Sequence, residues 1–284
     1  MLRTGTKAVA TSLWLVSMCL APGALPGQER GPEYRDHDPG IAMSMLGTYV
    51  QKGHYLVYPF FEWYADHDLE YKPIELGYGN SKVDYRGRYR ASEGIFYVAY
   101  GISENLAVEA EAAVITAELR PSLSDTSSAR PARVHEAGLG DVEGQIRWRA
   151  QRETASRPEI WTFFETVLPL QRTRHIIGTQ DWEFSAGFGL TKGYRWGTMT
   201  FRASAEYTDR QLDAGEYGIE YMKRLSPAWQ VIGVIEGTQV DEISLITQVQ
   251  WYFSHNARFR LNNAWGLTPN ATDIAPEVGV MFSF

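Results

Sequence analysis

The segment Asp141–Ala150, D-V-E-G-Q-I-R-W-R-A, changes character at every residue. Val142, Gly144, Ile146 and Trp148 fall on one face of an extended chain, and Asp141, Glu143, Gln145, Arg147 and Arg149 fall on the other. Period two marks a β-strand with one apolar and one polar face, because successive side chains leave the backbone on opposite sides. The pattern recurs. Trp182, Phe184, Ala186, Phe188 and Leu190 oppose Glu183, Ser185, Gly187 and Gly189. Met199, Phe201, Ala203, Ala205 and Tyr207 oppose Thr198, Thr200, Arg202, Ser204 and Glu206. Leu106, Val108, Ala110, Ala112 and Val114 oppose Ala107, Glu109 and Glu111. This reading gives twelve strands, near 55–65, 92–101, 106–118, 138–151, 159–169, 181–191, 197–208, 215–224, 228–238, 242–253, 257–267 and 276–284. Glu159–Leu168 alternates in a way that fits either facing. No helix-period segment of any length competes with these strands.

Connection lengths add a second constraint. Every other junction is tight: Ile102–Asn105, Arg152–Pro158, Lys192–Trp196, Leu225–Pro227 and Ser254–Asn256. The intervening ones begin long, at 66–91, 119–137 and 170–180, and later shrink. Short turns on one side and longer loops on the other is how outer-membrane barrels are built. Tryptophans fall near strand ends: Trp148, Trp161, Trp196, Trp229 and Trp251 near the tight turns, Trp63, Trp182 and Trp265 near the loops. Indole settles at the headgroup level, so two such groups fit the two faces of a bilayer. Hydrocarbon cannot hydrogen-bond an open sheet edge, so the sheet must close. The expected fold is therefore all-β: a closed antiparallel transmembrane β-barrel of twelve strands, monomeric, with short periplasmic turns and longer extracellular loops. A mean hydropathy of −0.30 argues against a helical membrane bundle and leaves a barrel open, since its two faces cancel in the average. The alternative is an exported soluble β-protein.

The N-terminus reads as a secretory signal. Arg3 and Lys7 precede the apolar run Ala8–Leu20, and small and Pro residues follow to Gly27. That divides the chain into a signal peptide (1–27), a periplasmic N-terminal segment (28–53) and the barrel (54–284). The only cysteine, Cys19, lies inside the signal, so no Cys-based metal site or thiol nucleophile is expected in the mature chain. Loss of Arg3 and Lys7 takes the formal charge from −7 to −9. An acidic exported chain is a poor nucleic-acid binder.

Any activity must sit in the lumen or the loops. The candidate lumen-facing residues are Glu109, Glu111, Arg147, Arg149, Arg202, Glu206, Glu220, Gln248, Arg258 and Arg260, with Gln250 and Asn262 beside the last three. Glu109 and Glu111 are expected near Arg147 and Arg149, Arg202 near Glu220, and Glu183 near Glu206. Such charges either tune a solute pathway or brace a narrow barrel as internal ion pairs. No enzyme constellation stands out. His67 lies between Asp66 and Asp68, and His37 between Asp36 and Asp38, as clusters in exposed segments rather than metal or catalytic signatures. G-x-S-x-G and H-E-x-x-H are absent. Neither a cofactor nor a metal is called for.

The closing strand E-V-G-V-M-F-S-F alternates to the last residue. Val278, Val280, Phe282 and Phe284 are expected toward lipid, and Glu277, Gly279, Met281 and Ser283 toward the lumen. Val280, Phe282 and Phe284 resemble the terminal signal by which barrel-assembly machinery recognises its clients.

Three runs carry a family resemblance: Y-G-I-S-E-N-L-A-V-E-A-E (Tyr100–Glu111), G-L-G-D-V-E-G-Q-I-R-W-R (Gly138–Arg149) and F-E-T-V-L-P-L (Phe164–Leu170). They resemble the outer-membrane family named for the MetA pathway of phenol degradation, across most of residues 54–284. That family follows the fifth strand with Pro-Thr-Gly, whereas Leu170-Gln171-Arg172 follows Pro169 here. The resemblance implies a barrel embedded in outer-membrane lipid and passive transport or binding of small, apolar or aromatic solutes. It carries over no site residue. Non-enzymatic transport is the first expectation; a surface hydrolase and a structural or adhesive barrel are the alternatives.

Overall fold

The computed structural model describes residues 45–46, 50–127, 129–238 and 242–284. The signal segment and the Asp36-His37-Asp38 run lie outside the described residues. Twelve strands follow in order: β1 (Tyr55–Tyr71), β2 (Tyr85–Ser103), β3 (Leu106–Arg120), β4 (Val134–Gln151), β5 (Glu159–Val167), β6 (Glu183–Tyr194), β7 (Gly197–Thr208), β8 (Gln211–Ser226), β9 (Trp229–Gly237), β10 (Ile243–Tyr252), β11 (Ala257–Gly266) and β12 (Ile274–Ser283). Each pairs antiparallel with its chain neighbour, and β1 pairs with β12 to close the ring. At the seam, Tyr55 and Phe284 exchange both backbone hydrogen bonds, at 3.0 and 3.1 Å. No edge is left for lipid to meet.

Alternation decides the facing. On β4, Gln145 and Arg147 are buried in the barrel while Ile146 and Trp148 are exposed on its outside. On β12, Glu277, Gly279, Met281 and Ser283 point inward, Val278 and Phe284 are exposed, and Val280 and Phe282 are half-buried between them. The outer face carries Phe61, Phe96, Ile146, Phe164, Phe188, Ile219, Ile235, Leu261 and Val278. Trp148, Trp196, Trp229 and Trp251 ring the turn end, and Trp63, Trp182 and Trp265 ring the loop end, all exposed. Neighbouring rings support one another: Trp229 stacks on Trp251 at 6.1 Å, and Trp196 on Tyr194 at 4.9 Å.

Trp161 departs from the expected girdle. It points inward and is fully buried, with Phe163 beside it. The cause lies on β6, where Gly187 and Gly189 leave the room that these rings fill. A Cβ at Gly189 would stand 2.0 Å from the Trp161 ring.

Two loops are shorter than the spacing suggests. The strands run on beyond their expected ends, β1 through a bulge between Asp66 and Leu69, so that the β1–β2 loop is 72–84 and the β3–β4 loop 121–133. Tyr71, Tyr89 and Leu119 pack inward on this extension, which gives the hairpins a reason to continue. The β7–β8 connection is a two-residue hairpin in which Asp209 and Arg210 both have positive φ, at 48° and 63°. The length asymmetry is thus concentrated in the first half of the chain.

Candidate functional site

The bore is filled. Arg147, Arg258, Arg260, Glu220 and Gln250 are each 0% exposed, and Glu62, Glu93 and Glu277 each 1%. A barrel of this size can be packed nearly solid by its own inward side chains.

Charge is sorted along the bore. Eight carboxylates come from eight strands: Glu62, Glu93, Glu111, Glu143, Glu165, Glu216, Glu236 and Glu277. Register sets Glu62 directly opposite both Glu93 and Glu277, and Glu111 opposite Glu143. Around the ring they lie within electrostatic reach of one another, Glu62 with Glu236 and Glu165 with Glu216. Arg202 is the cation shared by Glu143, Glu165, Glu216 and Glu236. Nearer the turn end sit Arg147, Arg258 and Arg260.

The arginines are held by rings as much as by acids. Arg147 lies over Trp161 (4.6 Å), Arg202 over Phe163 (4.2 Å), Arg260 over Tyr58 (4.5 Å) and Arg258 over Tyr252 (5.1 Å). A guanidinium on a desolvated ring face gains about 1–2 kcal/mol and keeps its in-plane donors for other partners. Arg147 Nε is 3.4 Å from Glu109, whose other oxygen accepts from Gln145 Nε2 at 2.6 Å. Arg260 donates to Gln248 and lies 3.8 Å from Glu277, and the Tyr58 hydroxyl donates to Glu277.

Each lumen candidate read from the sequence has a definite place. Glu109 and Arg147 meet as stated. Glu111 faces Glu143 instead of an arginine, and Arg149 reaches Glu159 at 3.2 Å and the Glu104 carbonyl at 2.6 Å. Arg202 stacks on Phe163, while Glu220 accepts the backbone N–H of Met45. Glu183 and Glu206 both point inward near the loop end, where Thr179 and Thr208 donate to them at 3.0 and 2.9 Å. Gln248, Gln250, Arg258, Arg260 and Asn262 share one stretch of wall on β10 and β11. His67 Nδ1 pairs with Asp273 at 2.7 Å on the exposed rim, where Asp66, Asp68 and Asp273 lie close together.

Glu62, Glu93, Glu165, Glu216 and Glu236 of the belt were not among the sequence candidates, and two further features escape the sequence reading. The loop 168–182 folds onto the inner wall. Glu136 accepts the N–H groups of His175 and Ile176 at 2.9–3.0 Å, Asp141 accepts that of Thr179 at 2.6 Å, and Tyr89 donates to the Ile176 carbonyl at 3.3 Å. Ile176 and Ile177 end up buried; an apolar pair in a polar loop was the available signal. Met45 and Leu46, expected below the barrel with the rest of 28–53, also lie inside it. Their apolar side chains find burial there.

No protein-family model matches the chain, and no curated protein matches it. Among solved structures it is similar to the COG4313 outer membrane channel from Pseudomonas putida F1, at 12% identity and a TM-score of 0.59, over 83% of this chain and 97% of that one. At this identity the likeness is one of fold. The KdgM porin aligns at 8% identity and a TM-score of 0.49, over 81% of this chain and 99% of that one. The CymD monoaromatic hydrocarbon channel aligns at 10% identity and 0.42, over 82% and 89%. The chain is an all-β outer-membrane-type barrel.

Proposed function

We propose that this barrel serves the passive passage or binding of small organic solutes, aromatic ones among them, across the outer membrane. One observation carries the reading: an inner wall that carries a belt of eight glutamates, with further inward carboxylates, and several ring-stacked arginines. Ionisable groups taken out of water cost folding energy, and a barrel needed only as an anchor would be more stable with apolar filling. Charge rings in a bore are how channels select what passes. The excess of carboxylate over guanidinium favours cations and solutes with a positive end. The inward rings of Tyr58, Phe60, Trp161 and Phe163 suit aromatic solutes. The fold is shared with a protein described as an outer membrane channel, and the resemblance to the phenol-degradation family points the same way.

In this reading residues 1–27 export the chain, the short turns face the periplasm, and the Val280-Phe282-Phe284 ending is read by the assembly machinery. A hydrolase built on His67 has less support: its Nδ1 pairs with Asp273, as a catalytic histidine's would, but among the described residues its ring hydrogen-bonds no hydroxyl or thiol that could act as nucleophile. The test is single-channel recording in planar bilayers, paired with uptake of small aromatic solutes into proteoliposomes. Folded protein that gives neither current nor uptake refutes the proposal.

A further inference from the structure

Among the described residues, Pro59 and Pro276 are the only prolines inside strands, and both stand on the closing seam. A proline has no N–H to give to a ladder, so sheets confine it to open edges and bulges. Opposed residues of an antiparallel ladder alternate between pairs that exchange two hydrogen bonds and pairs that exchange none. Tyr55 exchanges both of its bonds with Phe284. The register runs from Leu56–Ser283 to Ala65–Ile274 with no shift. The two-bond pairs along the seam therefore include Pro59 with Val280 and Trp63 with Pro276. In each of them one bond cannot form, and the carbonyls of Val280 and Trp63 lose their ladder donor. The pairing lapses at the same places, at Tyr58-Pro59 and at Trp63-Tyr64. On the other side of β12 the ladder with β11 runs unbroken from Ala257–Phe282 to Trp265–Ile274.

The wall at the first gap is apolar on both sides. Inside, the rings of Tyr58 and Phe60 stack at 4.5 Å. Gly279 opposite them has no side chain, and a Cβ there would stand 2.5 Å from Phe60 Cβ and 2.6 Å from Tyr58 Cε2. Outside, Pro59 is exposed between Val57 and Phe61. We propose that β1 and β12 part at Pro59, and that small apolar or aromatic solutes pass there between the bore and the lipid. This rests on the passage reading of the preceding subsection and names its exit. A carbonyl without a donor is costly in hydrocarbon, so the closed seam is less stable than a complete ladder and fewer bonds break when it opens. An apolar solute that leaves sideways goes from a ring-lined wall to acyl chains without crossing water.

The test uses the full chain with Cys19→Ser. Phe61→Cys with Val278→Cys places two thiols opposite each other across the seam, between the two prolines. Ile146→Cys with Phe164→Cys does the same across the β4–β5 ladder as a control. Both pairs are closed with copper phenanthroline after the barrel has folded and reopened with dithiothreitol. The probe is N-phenylnaphthylamine, which fluoresces on entering lipid. Its uptake by intact cells is read per inserted barrel, beside the potassium chloride current in planar bilayers. The seam lock is expected to lower uptake several-fold, reversibly, with the current unchanged, and the β4–β5 lock to change neither. Pro59→Val, which returns the missing N–H, is expected to lower uptake without a lock; if it does not insert, the seam lock decides. Uptake that survives the seam lock, or that both locks lower equally, overturns the side exit. So does unchanged uptake in an inserted Pro59→Val barrel, which leaves the proline as a guard of the free edge before closure. Current without any barrel-dependent uptake overturns the exit and leaves the passage reading standing, whereas loss of both refutes that reading as well.

Discussion

Replacing Arg147 with Met strips the guanidinium from Glu109 while keeping most of the volume against the Trp161 ring. Both side chains are fully buried, at 0% and 1% exposure. Removing one member of a buried ion pair costs about 3–5 kcal/mol, because the remaining charge loses its partner but stays out of water. Glu109 keeps the Gln145 hydrogen bond at 2.6 Å, so the low end, about 3 kcal/mol, is expected. The ring contact adds about 1 kcal/mol, part of which a thioether on the same ring restores. The double variant Glu109→Gln/Arg147→Met removes both charges and is expected within about 1 kcal/mol of wild type. The coupling between the sites is then about 2 kcal/mol or more. Urea unfolding of the barrel in detergent micelles, followed by tryptophan fluorescence and by the heat-modifiable gel shift, measures all four corners of the cycle. Additive effects, or an Arg147→Met protein within about 0.5 kcal/mol of wild type, refute the reasoning. Either would mean that water reaches the pair and the bore is not filled at this level.

Three further outcomes are expected. Glu62→Gln with Glu277→Gln thins the carboxylate belt and moves the reversal potential under a salt gradient toward zero; an unchanged potential removes the belt from selectivity. In the β1–β2 loop, burial disfavours the charge on Lys72, but Asp84 at 3.1 Å and Glu75 at 3.5 Å outweigh it and raise its pKa above 10.5. The folded pKa exceeds the unfolded one, so the contribution is complete below about pH 10.5 and lost as pH rises through the folded value. Protease resistance of loop 72–84 should therefore hold into mild alkali and fall above it, and Lys72→Met should abolish that dependence. Deleting Phe284 removes both hydrogen bonds that it exchanges with Tyr55 at the seam, and should lower the yield of membrane-inserted barrel; a normal yield counts against the ending as an assembly signal.

Strand order, number and facing were legible because a membrane barrel writes them at period two, with lipid on one side enforcing the apolar half. Long-range closure followed from the chemistry of hydrocarbon rather than from any single residue. Trp161 misled because position along a strand was read without its face, and the face of β5 is set by glycines on β6 that no local pattern links to it. The 66–91 loop misled because Tyr71, Tyr89 and Leu119 continue the hairpins with an inward apolar surface beyond the clean alternation. Of the carboxylate belt only Glu111 was among the lumen candidates, with Glu143 and Glu277 read on polar faces; Glu62, Glu93, Glu165, Glu216 and Glu236 lie on strands whose alternation was less clean and were not singled out. Assembly of the belt into a ring needed the register, which shifts from strand to strand and is not encoded in any one segment. The inward fold of Met45–Leu46 was the least legible, since a short apolar run before a barrel has no period of its own.

One kind of contact recurs along the bore. At the loop end, backbone N–H groups of His175, Ile176 and Thr179 are given to Glu136 and Asp141. Inside, the Met45 N–H is given to Glu220. In each case backbone N–H groups from outside the sheet are docked on a wall carboxylate, and charged acceptors make these bonds stronger than neutral ones. On the passage reading the wall uses one residue type twice: in the belt, for charge selection, and at these docking points. Glu136, Asp141 and Glu220 are not members of the eight-residue belt, so the two uses can be dissected. Variants at Glu62 and Glu277 should alter selectivity with the docked loop intact, while variants at Glu136 and Asp141 should free the 168–182 loop with the belt intact.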